Sequence, residues 1–272
     1  MSDTIIPMNP AEGETSFFLV IGKILFFLFI MPPFSAIGWT TLGLSVYIIQ
    51  RFRYPHCESK AEMKGKTVIV TGANKGIGLE TARDLARRGA TVILACRNMI
   101  RANTAKDEIE ASGGRHVEVM ELDVASMESV RKFAKKLQNR QIDVLINNAG
   151  VADLPQQITE EGLELTVATN HLGHFLLTHL LMPNLKVGRG QVINLTSIGH
   201  KWVKNAKELD LDNDMRFQLN RPLKTLEIYK AAKLMNLIFT AELARKVHGT
   251  GEYEAIFMEN DRVYGTVSVQ IG

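Results

Sequence analysis

A short β-branched run, Thr67-Val-Ile-Val70, passes directly into Thr71-Gly72-Ala73-Asn74-Lys75-Gly76-Ile77-Gly78 and then into a helical stretch from Ile77 to Arg88. A buried strand, a glycine turn and a helix in that order put a helix N-terminus at the edge of a sheet, which commits the chain to an α/β fold. The alternation continues. Strand-like segments follow at Thr91 to Ala95, Val117 to Leu122, Asp143 to Ile146 and Gln191 to Leu195. Helical stretches separate them at Arg101 to Ala111, Ser126 to Leu137 and about Gly162 to Leu181, and a last one runs from Leu226 to Val247. The expected architecture is a doubly wound parallel sheet with helices on both faces, in one domain from residue 66 to residue 272 without internal repeats.

Ahead of that domain the chain is of another kind. From Phe17 to Ile49 there are 33 residues with one charge, Lys23, where a bilayer-spanning helix needs about 20 apolar residues. The run is too long for the apolar core of a signal peptide and has no basic start, so residues 17–50 read as a membrane segment after a tail at 1–16. Pro32 and Pro33 divide it, leaving one kinked span and a re-entrant hairpin both open. Arg51, Arg53, Lys60 and Lys64 form a basic linker over 51–65, followed at once by Lys66. By the positive-inside rule they place the main domain on the cytosolic side. Residues 1–50 carry net −2 of the total +3, leaving +5 on the rest, too little to suggest nucleic acid. Two cysteines, Cys57 and Cys96, cannot make the framework of a stapled secreted module.

The glycine turn also predicts a ligand. Backbone without β-carbons lets a pyrophosphate approach closely, and the free N–H groups of the following helix attract it, the arrangement of a Rossmann dinucleotide site. At the end of the second strand an NAD site usually carries an acid for the ribose 2′-hydroxyl. Arg97 stands there instead, and with Lys75 it suits a 2′-phosphate, so the expected cofactor is NADP(H).

Further along lie Asp123-Val124 after the third strand, Asn147-Asn148-Ala149-Gly150 after the fourth, Asn170 in the long helix, Ser197 after the fifth strand, and Tyr229-Lys-Ala-Ala-Lys233. With the glycine turn, this set resembles the short-chain dehydrogenases/reductases over about Lys66 to Gly249. The hydrophobic leader, Ala95-Cys96-Arg97-Asn98 and Asn170-His-Leu-Gly-His-Phe-Leu-Leu-Thr178 resemble the retinol dehydrogenase branch. The resemblance implies an oxidoreductase that interconverts a lipophilic alcohol and its aldehyde or ketone, retinol and retinal first. It also implies a membrane location, with the endoplasmic reticulum expected and the catalytic domain facing the cytosol; a homodimer is left open.

The chemistry suits those residues. A tyrosine phenol in water ionises near pH 10, so a tyrosine that exchanges protons near neutrality needs its anion stabilised. Lys233, one helical turn on, puts an ammonium beside Tyr229. Ser197 is placed to hydrogen-bond the substrate oxygen, and Asn170, by the resemblance, to hold a water in a relay to Lys233. The implied catalytic set is Asn170, Ser197, Tyr229 and Lys233. The implied cofactor set is Gly72, Asn74, Lys75, Gly76, Ile77, Gly78, Arg97, Asp123, Val124 and Asn148, with Tyr229 and Lys233. No metal is expected, since His171, His174 and His200 have no ligand-like spacing and read as core or surface residues. Asn194-Leu195-Thr196 matches a glycosylation acceptor, but on a buried cytosolic strand it should stay unmodified.

Two departures accompany the resemblance. Thirty-one residues separate Ser197 from Tyr229, an insertion expected to border the substrate mouth. After the Tyr-Lys helix the family's Pro-Gly turn is missing. Residues 252–264 read as an insertion and Thr266 to Gly272 as a candidate sixth strand, with the family's remaining C-terminal part truncated. The alternative to an enzyme is therefore a catalytically silent family member that acts by binding or interaction.

Overall fold

A computed structural model describes residues 40, 43, 44, 59, 61–152, 154–185, 190–203 and 225–247, and the strand backbone at 256–257 and 266–271. The chain divides into two units, 1–58 and 59–272. In the first only Thr40, Gly43 and Leu44 are described, all helical, so the expected membrane segment lies almost wholly outside the described residues. Among the described residues no helix is long and apolar enough to cross a membrane.

The second unit alternates as the apolar pattern requires. Strand β1 (Thr67–Thr71) leads to helix α1 (Gly76–Arg87), β2 (Thr91–Cys96) to α2 (Met99–Ala111), and β3 (Val117–Glu121) to α3 (Met127–Lys136). After β4 (Val144–Asn147), a turn of helix α4 (Leu165–Val167) widens into a π-helical turn at Ala168–Leu172 and continues as α5 (Gly173–Leu181). Strand β5 (Gly190–Leu195), helix α6 (Thr225–Val247), β6 (Ile256–Phe257) and β7 (Thr266–Ile271) follow. The sheet order is β3-β2-β1-β4-β5-β7-β6. Strands β1 to β5 are mutually parallel. The chain winds outward from β1 to β3, then restarts on the other side with β4, so the topological switch lies between β1 and β4, where α/β folds bind ligands beyond the strand ends.

The expectation of a wholly parallel sheet fails at one edge. Strand β7 does lie beside β5, but it runs antiparallel to it. Strands β6 and β7 pair as antiparallel arms, so β6 runs in the direction of β5 and β7 against it.

Side-chain alternation along the strands divides the core between the two faces. Val68, Val70, Val92, Leu94, Val144 and Ile146 pack against Ala82 and Ala86 of α1 and Ala102, Ala105 and Ile109 of α2. Ile69, Ile93, Leu145 and Val192 face Phe133 of α3 and Leu177 and Leu181 of α5. Each such side chain, fully buried, contributes about 1.5–3 kcal/mol. At the C-terminal ends of β1, β4 and β5 this second face turns polar. Thr71 continues the Ile69 row, and Asn147 pairs with Asn194 in register. All three are at most 2% exposed. Asn147 Nδ2 donates to Asn194 Oδ1 (2.7 Å) and Thr178 Oγ1 (3.0 Å), and Asn194 Nδ2 donates to Thr240 Oγ1 (2.9 Å). Asn194 is thus buried with its amide bonded on the inner face of the sheet.

Candidate active site

The glycine turn sits at the C-terminal end of β1. Gly72 has φ +66°, and a β-carbon on it would lie 2.9 Å from Ala149 Cα. Gly78 is tight against Asn148, with Gly72 O 2.8 Å from where its β-carbon would be. Asn148 closes this contact from the far side of the switch, its Nδ2 donating to Thr71 O at 2.8 Å. Gly76 differs. It has φ +57° and nothing within 4 Å of the missing β-carbon, which leaves open space over the turn. Lys75, Gly76 and Ile77 are exposed, and Asn74 is half-buried between them and the strand.

Helix ends near this crevice are treated unequally. Asn98 caps α2 by accepting Arg101 N–H (2.9 Å), and Ser126 caps α3. The Glu161 carboxylate also accepts the N–H groups of Met127 (2.8 Å) and Glu128 (3.0 Å) at α3. Helix α1 has no side-chain cap, and its first turn holds no acid, so its positive end and free N–H groups face the open glycine turn. Arg97 projects from the end of β2, its side chain 73% exposed, with the Asp123 carboxylate 3.8 Å away. Asp123 is also engaged with Ala125 N–H (3.0 Å). Val124 is buried, its carbonyl pressed against Gly173 of α5. A turn open over Gly76, an uncapped helix end and an exposed guanidinium fit a dinucleotide with a 2′-phosphate.

The side chains expected to handle protons lie at strand ends of the same sheet. Lys233 on α6 is 6% exposed, donates from Nζ to Leu195 O (3.0 Å), and lies 5.7 Å from the centroid of the Tyr229 ring. Ser197 Oγ accepts Gly199 N–H at 3.2 Å, which leaves its hydroxyl proton free to donate elsewhere. Gly199 sits between the two groups: a β-carbon there would be 3.6 Å from Ser197 Oγ and 3.7 Å from Tyr229 Cε1. Gly150 likewise separates Asn170 Oδ1 from Lys233 Nζ, at 3.2 and 3.8 Å from its missing β-carbon. The four residues therefore surround one short stretch of strand ends.

The Asn170 side chain is bonded to the segment after β4. Its Oδ1 accepts Val151 N–H and its Nδ2 donates to Val151 O, both at 2.8 Å. The amide thus fixes the chain leaving β4 and keeps one N–H and one lone pair that Val151 does not use, while the Asn170 backbone carbonyl lies toward α6. That carbonyl already receives Asn236 Nδ2 (3.0 Å) and His174 Nδ1 (3.4 Å). Asn236 also donates to Leu195 O (3.1 Å), the acceptor shared with Lys233, and its Oδ1 is bonded by His171 Nδ1 (2.9 Å). His171 and His174, expected as core or surface residues, are buried, and Asn236 is not singled out by the sequence. The available signal was spacing, since His174 follows Asn170 by one helical turn and Asn236 follows Lys233 by three residues.

Burial pushes the Lys233 ammonium down to about 8. An unfolded lysine titrates near 10.4, so between these values the unfolded chain holds more protons and stability from this group rises with pH. Its contribution is complete above the unfolded value and lost as pH falls through about 8. Lys233→Met removes the dependence. The difference in unfolding free energy between wild type and Lys233→Met should therefore move in favour of wild type from pH 8 to 10.5 in denaturant titrations, and a constant difference contradicts the burial of this ammonium.

A short chain dehydrogenase family model matches residues 66–205. Among curated proteins the chain is 44% identical to human (Homo sapiens) retinol dehydrogenase 13 over 80% of its own length and 65% of that protein. It is 43% identical to Bos taurus retinol dehydrogenase 12 over 72% of its length and 61% of the relative's. The chain thus spans about two-thirds of the length of these relatives. Among solved structures, a Mycobacterium paratuberculosis protein aligns with a TM-score of 0.61 at 40% identity, covering 69% of this chain and 65% of that one. A metagenomic short-chain oxidoreductase in complex with NADP aligns with a TM-score of 0.54 at 25% identity, covering 70% and 79%. The chain belongs to the short-chain dehydrogenase family.

Proposed function

We propose that the chain is a membrane-attached, NADP(H)-dependent oxidoreductase that interconverts a lipophilic alcohol and its aldehyde or ketone, with retinol and retinal as the leading pair. The observation that carries this reading is the convergence of Ser197, Tyr229 and Lys233 on strand ends of the same sheet that carries the glycine turn, open over Gly76 and leading into an uncapped helix. The substrate class is supported by the names of the relatives, and membrane attachment by the apolar run at 17–50.

Gly72 and Gly78 hold the turn close against the Asn148-Ala149 segment, Gly76 leaves room for the pyrophosphate at the α1 N-terminus, and Arg97 with Lys75 would hold the 2′-phosphate. A cofactor held there would exchange a hydride with the carbonyl carbon in either direction. Tyr229 gives its phenolic proton to the carbonyl oxygen, and the Lys233 ammonium stabilises the phenolate left behind. Ser197 donates its free hydroxyl proton in a hydrogen bond to the same oxygen as negative charge builds there. Hydride and proton together convert one carbonyl to one alcohol.

Cofactor choice is tested at Arg97. Removing one charge-assisted contact to a phosphate costs about 1.5–3 kcal/mol. Arg97→Ala should weaken NADPH binding roughly ten- to a hundredfold in fluorescence titrations and leave NADH binding unchanged. Equal affinity for the two cofactors, unaltered in the variant, removes the assignment.

A further inference from the structure

We propose that His174 is a positioning residue that locks the dinucleotide turn to the catalytic turn, acting through the hydroxyl of Thr71. The inference rests on the reading that the chain binds NADP(H) at the glycine turn, and it concerns two side chains that reading leaves without a role. His174 lies on α5, 103 residues from Thr71 in sequence, and its Nε2 is 2.9 Å from Thr71 Oγ1. Both are at most 2% exposed.

Counting donors and acceptors fixes which way the protons point. Thr71 Oγ1 receives two backbone N–H groups, from Asn148 and Ala149, both at 2.9 Å. A hydroxyl has two lone pairs and one proton, so both lone pairs are used and the proton must go outward. Of the two acceptors within reach, Ile146 O is 3.4 Å away and His174 Nε2 is 2.9 Å. The imidazole is the better placed. Its Nε2 is then the acceptor and its proton sits on Nδ1, where the Asn170 carbonyl is the acceptor at 3.4 Å. One neutral ring therefore satisfies both ends of the chain Asn148/Ala149 to Thr71 to His174 to Asn170. Burial agrees with a neutral ring, pushing the imidazole down to about 3.

The chain of bonds joins the two halves of the site. Thr71 ends β1 and holds the Asn148-Ala149 backbone; Gly72 is packed against Ala149, and Gly78 against the Asn148 side chain. At the other end, the Asn170 carbonyl belongs to the π-helical turn whose amide fixes Val151. An apolar side chain at 174 removes the short acceptor for the Thr71 proton and one of the two side-chain donors on the Asn170 carbonyl. The glycine turn and the catalytic turn then lose their common anchor while the core around them stays filled.

The test is a double-mutant cycle on the full chain, read as NADPH dissociation constant and kcat with an aldehyde substrate. His174→Leu and Thr71→Val should each weaken NADPH binding and lower kcat roughly tenfold, as expected for a buried polar group left unpaired. Thr71→Ser, which keeps the hydroxyl, should stay near wild type. Because both act through one bond, the double variant should be no worse than the poorer single one. Multiplying effects, or a His174→Leu variant that binds and turns over like wild type, overturns the proposal. If the variants do not fold, the wild type still decides: 15N NMR of histidine-labelled protein should show the His174 ring neutral with its proton on Nδ1 between pH 6 and 8. A proton on Nε2 overturns the proposal. Failure of the wild type to bind NADPH counts against the proposed function, and the tautomer then reads the Thr71 bond by itself.

Discussion

Replacing Tyr229 by phenylalanine is expected to lower kcat by about 10² to 10⁴, the range over which a positioned general acid or base contributes. Phenylalanine keeps the ring that Lys233 approaches at 5.7 Å and removes only the oxygen that exchanges the proton. Tyr229 sits in the first turns of α6, ahead of Lys233, whose Nζ is held by Leu195 O. The fold and the lysine should therefore be unchanged. NADPH binding should weaken by no more than one neutral hydrogen bond, about fivefold. Steady-state kinetics beside a cofactor titration separate the two effects. A variant with unaltered turnover contradicts the assignment of Tyr229, and one that loses cofactor binding as completely as turnover shows a structural role instead.

The largest effect on stability is expected at Gly173. This residue opens α5 directly against the segment after β3, and a β-carbon there would fall inside the van der Waals envelope of the Val124 carbonyl oxygen, 2.8 Å from its carbon. The obstacle is backbone, which cannot rotate aside as a side chain does. Helix propensity alone favours alanine over glycine by about 1 kcal/mol, so a net loss isolates the packing. Gly173→Ala should destabilise the domain by about 3 kcal/mol, the upper end for an overpacked core, lowering Tm by about 6–12 °C at this size. A denaturant titration reads it. An unchanged midpoint means that α5 does not pack on Val124 this closely.

How much of this was legible beforehand depends on the range of the forces involved. Strands β1 to β5 and the helices between them follow from periodicity within a few residues, and each element begins within two or three residues of the expected position. The glycine turn was legible because a tight strand-to-helix connection limits which residues can stand at 72, 76 and 78. The direction of β7 was not. Alternation in Thr266 to Ile271 marks a strand, but its direction depends on the β6 arm it pairs with. The Asn170 amide illustrates the same limit: its position in the chain identifies a helix facing the strand ends, while its pairing with Val151 depends on a contact 19 residues away. His174 and Thr71 are farther apart still, and nothing in either local pattern points to the other.

The central claim is that this chain assembles a working site in which cofactor and proton donor act on one carbonyl. It is tested most directly by incubating the full chain in membranes with all-trans-retinal and NADPH deuterated at the transferred C4 position, with Tyr229→Phe membranes alongside. The account predicts retinol carrying deuterium on its alcohol carbon from wild type and none above background from the variant. Folded wild-type protein that binds NADPH and gives no deuterated alcohol from retinal or a panel of lipophilic aldehydes would contradict it.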